Sequence, residues 1–390
     1  MPDSHLAKRF QHAGGGSLAL DTAALARFDD VIDLSIGDTD FVTDRRIIDA
    51  ACRDACAGYT KYGDPKGDPA LVEAIRRAYH EDFGIELSPE EIFITASSCM
   101  GMAISMTALL DPGDEVLVFS PYFSPYKDQI ALAGGRAVDV PTYEEDGWAI
   151  QEDVLRAKIT GRTRAMIFNN PTNPTGAVYD LPAMETLARV AEEFDLTVVA
   201  DEIYTRYLYE GKFIPFRSLP GMAKRTLTLN SFSKNFMMTG WRVGCIVAPP
   251  EMLPALAYIG NTMIYTVPSV SQRAALAALA IRDDVEKTYI SQYKERVYYA
   301  FDRAAQIPWM TVTRPKGTFY LFPGIEKTGL SSAEFCRTLF EKAHILAAPG
   351  RVFGEAGEGH FRLVCAGVPV LKEAFDRMES LRFPEGPSEK

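Results

Sequence analysis

At 390 residues the chain is longer than one ordinary domain, and two are expected. Hydrophobic residues at 47% and charged ones at 24% exclude wholesale disorder. With 41 basic against 52 acidic side chains, the formal charge of −11 gives no general attraction to nucleic acid or anionic lipid. No apolar run reaches the roughly 18 residues of a membrane-spanning helix. Its longest candidate, Ala274–Ile281, is closed off by Arg273 and Arg282. Met1–Phe10 carries no apolar core of a secretory signal, so a cytoplasmic enzyme is the expectation.

In chain order, the first forty or so residues have no sheet partner nearby in sequence and are expected to pack on the smaller of the two domains. Cys52 and Cys56 follow, four apart on a predicted helix. They read as two small buried hydrophobes rather than a metal half-site, because no second Cys/His pair lies at ligand spacing. The six cysteines and five histidines are otherwise dispersed, which argues against a zinc or disulfide framework, and no metal is expected. From about 90 to 250, short β-rich runs alternate with helical ones. Glu91–Thr95, Glu115–Phe119, Arg136–Val140, Arg164–Phe168, Leu196–Ala200, Thr226–Leu229 and Val243–Ala248 are the predicted strands. Several are almost continuously apolar, as in strands covered on both faces. This α/β pattern predicts a mostly parallel sheet of about seven strands with at least room for an antiparallel member. The tail predicts a long helix over Val285–Ala305, strands at Met310–Thr313, Thr318–Phe322 and His360–Cys365, and helices at Ser332–Ala343 and Pro369–Leu381. That is an α+β pattern. Residues 46–284 are therefore assigned to a large domain, and 1–45 with 285–390 to a small one.

Ligands of open α/β sheets sit outside the carboxyl ends of the strands. Immediately after three consecutive apolar runs come Asn169–Gly176, Asp201-Glu-Ile-Tyr204 and Asn230-Ser-Phe-Ser-Lys-Asn235. An amide, a carboxylate and an amine thus share one end of the sheet. The turn Thr95-Ala-Ser-Ser-Cys99, between strand and helix, offers backbone N–H groups and a helix dipole to an anion. It contains no glycine, so a Gly-x-Gly-x-x-Gly nicotinamide site is excluded there.

Ser231-Phe-Ser-Lys-Asn-Phe-Met-Met-Thr-Gly-Trp-Arg-Val-Gly244 resembles the lysine signature of the fold-type I pyridoxal-phosphate (PLP) aminotransferases, the aspartate aminotransferase superfamily. The resemblance runs from Tyr62-Gly-x-x-x-Gly67 through Asn170–Gly176 and Asp201–Tyr204 to Arg362. It implies a large domain with a mostly parallel seven-stranded sheet, a smaller α+β domain, and ping-pong transfer of an amino group between an L-amino acid and a 2-oxo acid. PLP needs a lysine that holds it as a Schiff base and an acidic partner for its ring nitrogen.

The resemblance gives Lys234 the first role and Asp201 the second. It implies that the freed Lys234 amine then moves the substrate's α-proton, which requires a depressed pKa. Asn173 and Tyr204 are expected at the cofactor's phenolic oxygen, with a cis bond at Asn170-Pro171 or Asn173-Pro174 re-aiming the turn. Ser98, Cys99, Ser231, Ser233 and Arg242 are expected around the phosphate. Family members carry glycine in the 97–99 loop, where this chain has Ser97, Ser98 and Cys99. Phe123 takes the ring-stacking position. Tyr62 is expected to reach the phosphate of a neighbouring subunit, which implies a homodimer with shared active sites. Arg362, Gly37 and Asn173 are expected to bind the substrate, Arg362 and Gly37 at its α-carboxylate, and substrate binding should draw the two domains together.

Carbon–sulfur β-lyases share these residues and form the alternative reading, although Met237–Arg242 resembles transaminases more. The segment where dicarboxylate enzymes often place a second cation, Gly260–Pro268, has no Arg or Lys. That favours neutral or aromatic side chains with Tyr265 as a wall, while Lys127 or Arg273 would keep aspartate open. Gly14–Leu18 is expected to cover the pocket.

Overall fold

The computed structural model describes residues 27–383. Strand β1 (Ile32–Asp33) precedes the seven strands of the main sheet, which are β2 (Ile92–Thr95), β3 (Glu115–Ser120), β4 (Arg136–Pro141), β5 (Thr163–Asn169), β6 (Thr197–Asp201), β7 (Thr226–Ser231) and β8 (Gly244–Val247). Their spatial order is β2-β8-β7-β6-β5-β3-β4, and β8 alone runs antiparallel to its neighbours. The predicted mostly parallel sheet of seven is therefore present.

Side chains along these strands alternate between two buried faces. Val116, Val118, Ile167, Val199, Leu227 and Leu229 pack with helices Ser98–Leu109 and Leu253–Ile264. On the opposite face Leu117, Met166, Phe168, Val198 and Ala200 pack with helix Leu181–Glu193. Covering both faces explains the unbroken apolar runs.

Beyond this sheet, β9 (Tyr320–Leu321), β10 (Ile345–Leu346), β11 (Ala348–Pro349) and β12 (Phe361–Val364) form two small assemblies. β12 lies between β11 and β9, antiparallel to both, and β1 pairs in parallel with β10. The β1 pairing puts Ile32 and Asp33 against the tail. Helices Ser332–Ala343 and Val368–Ser380 stand where the sequence predicts them. The predicted helix over Val285–Ala305 is continuous but includes a π-helical turn at Glu286–Ile290 before Ser291–Ala304.

Three expectations need correction. Met310–Thr313 is no strand. Only Thr311 makes a bridge, to Gly324, while the Thr313 hydroxyl donates to the Glu144 carbonyl. The strand expected at Thr318–Phe322 shrinks to two residues, because Thr318 has φ of 61°, a left-handed conformation that no strand continues. Cys52 and Cys56 are exposed rather than buried. In helix Arg45–Cys56 the residues facing the core are Ile47 and Ala51, spaced i, i+4, and both cysteines fall off that stripe.

Gly244 opens β8 between Thr95 of β2 and Ser231 of β7. A Cβ there would lie 2.7 Å from the Asn230 carbonyl oxygen and 2.8 Å from the Ser98 nitrogen. Both are backbone atoms that no rotamer change relieves. Gly244→Ala is expected to cost about 1–3 kcal/mol in urea unfolding. Gly240→Ala, with nothing within 4 Å of its Cβ position, should leave the midpoint within experimental error.

Candidate active site

Because β2, β3, β5, β6 and β7 run the same way, their carboxyl ends open on one edge. A cavity of about 140 Å³ lies there, lined by Ser97, Ser98, Cys99, Phe123, Asp201, Ser231, Ser233, Lys234 and Arg242 among others. Eight sequence-predicted residues thus meet in one space.

One end of the cavity suits an anion. Ser97 caps helix Ser98–Leu109, its hydroxyl accepting from the Met100 N–H at 3.4 Å, and its φ of 86° turns the chain off β2. The free N–H groups of the first helical turn and the helix dipole point the same way. Ser231 caps the short turn Phe232–Asn235, its Oγ accepting from the Ser233 N–H at 3.1 Å. Arg242 is held by a 2.7 Å bond from its Nη1 to the Thr239 carbonyl.

The carboxylate of Asp201, the last residue of β6, also lines the cavity and is buried. Its Oδ2 accepts from the Tyr126 hydroxyl, whereas its Oδ1 has no partner among the described residues. Burial pushes the Asp201 carboxyl up to about 6, against the lowering effect of the Tyr126 bond. Lys234 projects into the same cavity, with its Nζ donating to the Gly37 carbonyl. Burial lowers its amine to about 8. Asp38 opposes that shift, and the positive charges of Arg362 and Arg242 add to it. The depressed lysine pKa expected from the sequence is present.

Gly37, Tyr204, Asn173 and Arg362 lie outside the cavity lining and form an adjoining cluster. Arg362 of β12 is fully buried. Its Nη1 donates to Asn173 Oδ1 at 3.1 Å, its Nη2 donates to the Ser35 carbonyl at 2.6 Å, and its Nε has no partner among the described residues. Tyr320 sits beneath it, 4.6 Å from the guanidinium to the ring centre, and its hydroxyl is 2.9 Å from that of Tyr204. A Cβ on Gly37 would come within 2.6 Å of the Tyr320 hydroxyl, so glycine permits the approach. Asn170-Pro171 and Asn173-Pro174 are both cis, as is Ser120-Pro121.

The remaining expectations fall elsewhere. Tyr62 is exposed and packs edge-on against Tyr265, away from the cavity of its own chain. Lys127 is paired with Asp139, and Arg273 with Asp54 and Asp68, so neither supplies a free cation here. Gly14–Leu18 lies outside the described residues. Sequence reasoning gave no role to Tyr126, Asn169 and Tyr320, and placed Ser97 only within the anion-binding turn. A signal existed for Tyr126, which stands three residues and about one helical turn beyond Phe123. Tyr320 had none, since only packing brings its strand to Tyr204.

An anion-binding end, an unpartnered buried carboxylate oxygen and a buried amine with depressed pKa together fit a phosphorylated cofactor that carries a basic ring nitrogen and an aldehyde. The family model for aminotransferase class I and II matches residues 29–373. An aspartate aminotransferase of Pyrococcus abyssi is 37% identical over 90% of this chain and 92% of its own. An arginine–pyruvate transaminase of Pseudomonas aeruginosa is 35% identical over 94% and 95%. Among solved structures, an aspartate aminotransferase from Thermus thermophilus with maleate superposes with a TM-score of 0.90 at 32% identity, covering 96% of this chain and 98% of that one. Each of these is named for amino-group transfer, and none for carbon–sulfur lysis. The cavity, its buried amine and these likenesses lead to one conclusion: the chain belongs to the class I and II aminotransferases, transaminases of PLP fold type I that work with pyridoxal phosphate.

Proposed function

We propose that Lys234 is the covalent anchor and proton carrier of this transaminase, that Asp201 is the partner of the cofactor's ring nitrogen, and that Arg362 receives the substrate's α-carboxylate. The carrying observation is the meeting of the Lys234 amine and the free Asp201 oxygen in one buried cavity. Pyridoxal phosphate, when bound, supplies an aldehyde that condenses with amines and a ring that accepts the electron pair left as the α-proton departs. Ser98, Cys99, Ser231, Ser233 and Arg242 hold the phosphate, through backbone donors, hydroxyls and a guanidinium suited to it. Phe123, which lines the cavity, would cover the cofactor's ring. Asn173 and Tyr204 bond the phenolic oxygen. The Lys234 amine, neutral over part of the population near pH 8, would take the proton from the substrate's α-carbon and carry it to the cofactor's C4′ carbon. Arg362 and the Gly37 backbone orient the carboxylate, and Tyr320 under the guanidinium fixes its plane.

Residues 46–284 act as the cofactor-binding domain, and 1–45 with 285–390 as the domain that moves with Arg362. Closure between them excludes water. Exposed Tyr62 completes the site of a second copy, which makes the working form a homodimer. The enzyme acts in the cytoplasm on amino acids and 2-oxo acids. Both Lys127 and Arg273 are engaged with carboxylates, which supports donors with neutral or aromatic side chains.

After borohydride treatment of the loaded enzyme, the cofactor's mass should remain on the peptide that carries Lys234. Lys234→Ala should bind the cofactor without a covalent link and lose at least about 10³-fold in kcat; turnover near wild type would remove Lys234 from this role. In a screen of amino donors against pyruvate and 2-oxoglutarate, phenylalanine, tyrosine or leucine should exceed aspartate in kcat/KM. Aspartate in first place would reject the side-chain assignment.

A third expectation concerns pH. With its folded value raised from 3.8 to about 6, Asp201 binds its proton more tightly folded than unfolded. Its ionisation therefore costs the cofactor-free protein nothing below about pH 4, increasingly more between 4 and 6, and the full amount above. Cofactor-free Asp201→Asn should be more stable than wild type at pH 8, by on the order of 3 kcal/mol. Urea titrations should show that difference fading towards pH 4.

A further inference from the structure

Asn169 closes β5 beside Asp201 of β6, and its side chain is buried. Both ends of its amide are used. Nδ2 donates to the Asp201 carbonyl at 2.8 Å, and Oδ1 accepts from the Asn173 N–H at 2.7 Å. Its own carbonyl accepts from the Thr172 hydroxyl at 3.0 Å. One side chain thus ties the end of β6 to a turn that has left the sheet ladder through two X-Pro bonds. Asn173 in turn accepts from Arg362 at 3.1 Å. The result is a continuous hydrogen-bonded chain from Asp201 through Asn169 and Asn173 to the guanidinium.

The Asn169 side chain is buried and both polar ends of its amide are already engaged by the protein, so it acts through its neighbours. We infer that Asn169 is a positioning residue, which sets the orientation of the Asn173 amide and through it the readiness of Arg362 to receive the substrate's carboxylate. This rests on the assignment of Arg362 to that carboxylate. The physical argument is one of satisfaction. The Asn173 N–H is buried and has no ladder partner, so losing Asn169 Oδ1 leaves it to find another acceptor by moving. A displaced Asn173 withdraws its Oδ1 from Arg362, whose Nε already lacks a partner. Asn is suited because it offers a donor and an acceptor on one short stem, whereas serine cannot span both contacts.

The test is a double-mutant cycle on the cofactor-loaded enzyme, read as the dissociation constant of 3-phenylpropionate, a carboxylate with no amino or oxo group to react. Binding is followed calorimetrically, with KM and kcat alongside. Asn169→Ala should weaken 3-phenylpropionate about tenfold, the size of one lost hydrogen bond, and raise the donor KM with a smaller change in kcat. In an Asn173→Ala background the same substitution should change the constant less than about twofold, since the residue it acts through is gone. Equal losses in both backgrounds, or none in the first, would overturn the inference. Should Asn169→Ala fail to fold, Asn169→Ser carries the same cycle. Arg362→Lys serves as the separate control. If it leaves 3-phenylpropionate binding unchanged, the Arg362 assignment fails; if it weakens binding while the cycle is additive, only the role of Asn169 fails.

Discussion

Burying an amine and a carboxylate in one small cavity, each without an ion-pair partner among the described residues, is the constraint around which the rest of this molecule is arranged. Lys234 and Asp201 are both shifted towards their neutral forms by burial, the amine down to about 8 and the carboxyl up to about 6. Each shift is free energy withdrawn from folding near neutral pH. It is offset by the apolar faces of the sheet, where residues such as Val118, Ile167, Val199 and Leu229 have almost no exposure. A rigid scaffold is therefore the condition for keeping two groups ready for a ligand that supplies their missing partners.

That scaffold delivers functional groups by direction. Parallel strands present all their carboxyl ends at one edge, and the turn following each strand then carries one element of the site. Ser97 and Ser98 follow β2, Phe123 follows β3, Asn173 follows β5, and Lys234 follows β7, while Asp201 closes β6 itself. The antiparallel strand β8 enters at this same edge, between Thr95 and Ser231, and can do so because Gly244 has no side chain to strike either backbone. Polar satisfaction completes the arrangement. Tyr126 occupies one oxygen of Asp201 and leaves the other free, and Asn169 fastens the Asn173 turn to the strand end beside it.

The small antiparallel sheet contributes differently. Arg362 comes from β12, more than a hundred residues after Lys234, and reaches the site between aromatic rings, with Tyr320 at 4.6 Å and Phe353 at 4.8 Å from the guanidinium. Burial at that depth strips the guanidinium of water, and the Ser35 and Asn173 oxygens replace only part of that hydration. An arginine so placed is a strong receiver for a carboxylate. Since Ser35 and Gly37 lie on the segment that β1 anchors to β10, the same docking that folds the tail also carries the backbone to Lys234.

Much of this was legible in the amino-acid order. Apolar runs of strand length separated by helical periods determine an α/β sheet covered on both faces, and the polar residues just after each run mark its functional edge. Lys234, Asp201, Asn173 and Arg362 were singled out because the segments that carry them resemble those of a known family. Short-range patterns failed where local conformation or packing overrode them. Thr318 turns left-handed and cuts a strand short, Cys52 and Cys56 sit off the buried stripe of their helix, and Thr311 bridges alone. The partners of the chemical groups were decided only in three dimensions. Tyr126 meets Asp201 across 75 residues and Tyr320 meets Tyr204 across 116. Linear spacing determines which faces are buried, since burial follows the period of a helix or strand; it cannot determine which buried hydroxyl meets which carboxylate, because that depends on how separate elements pack.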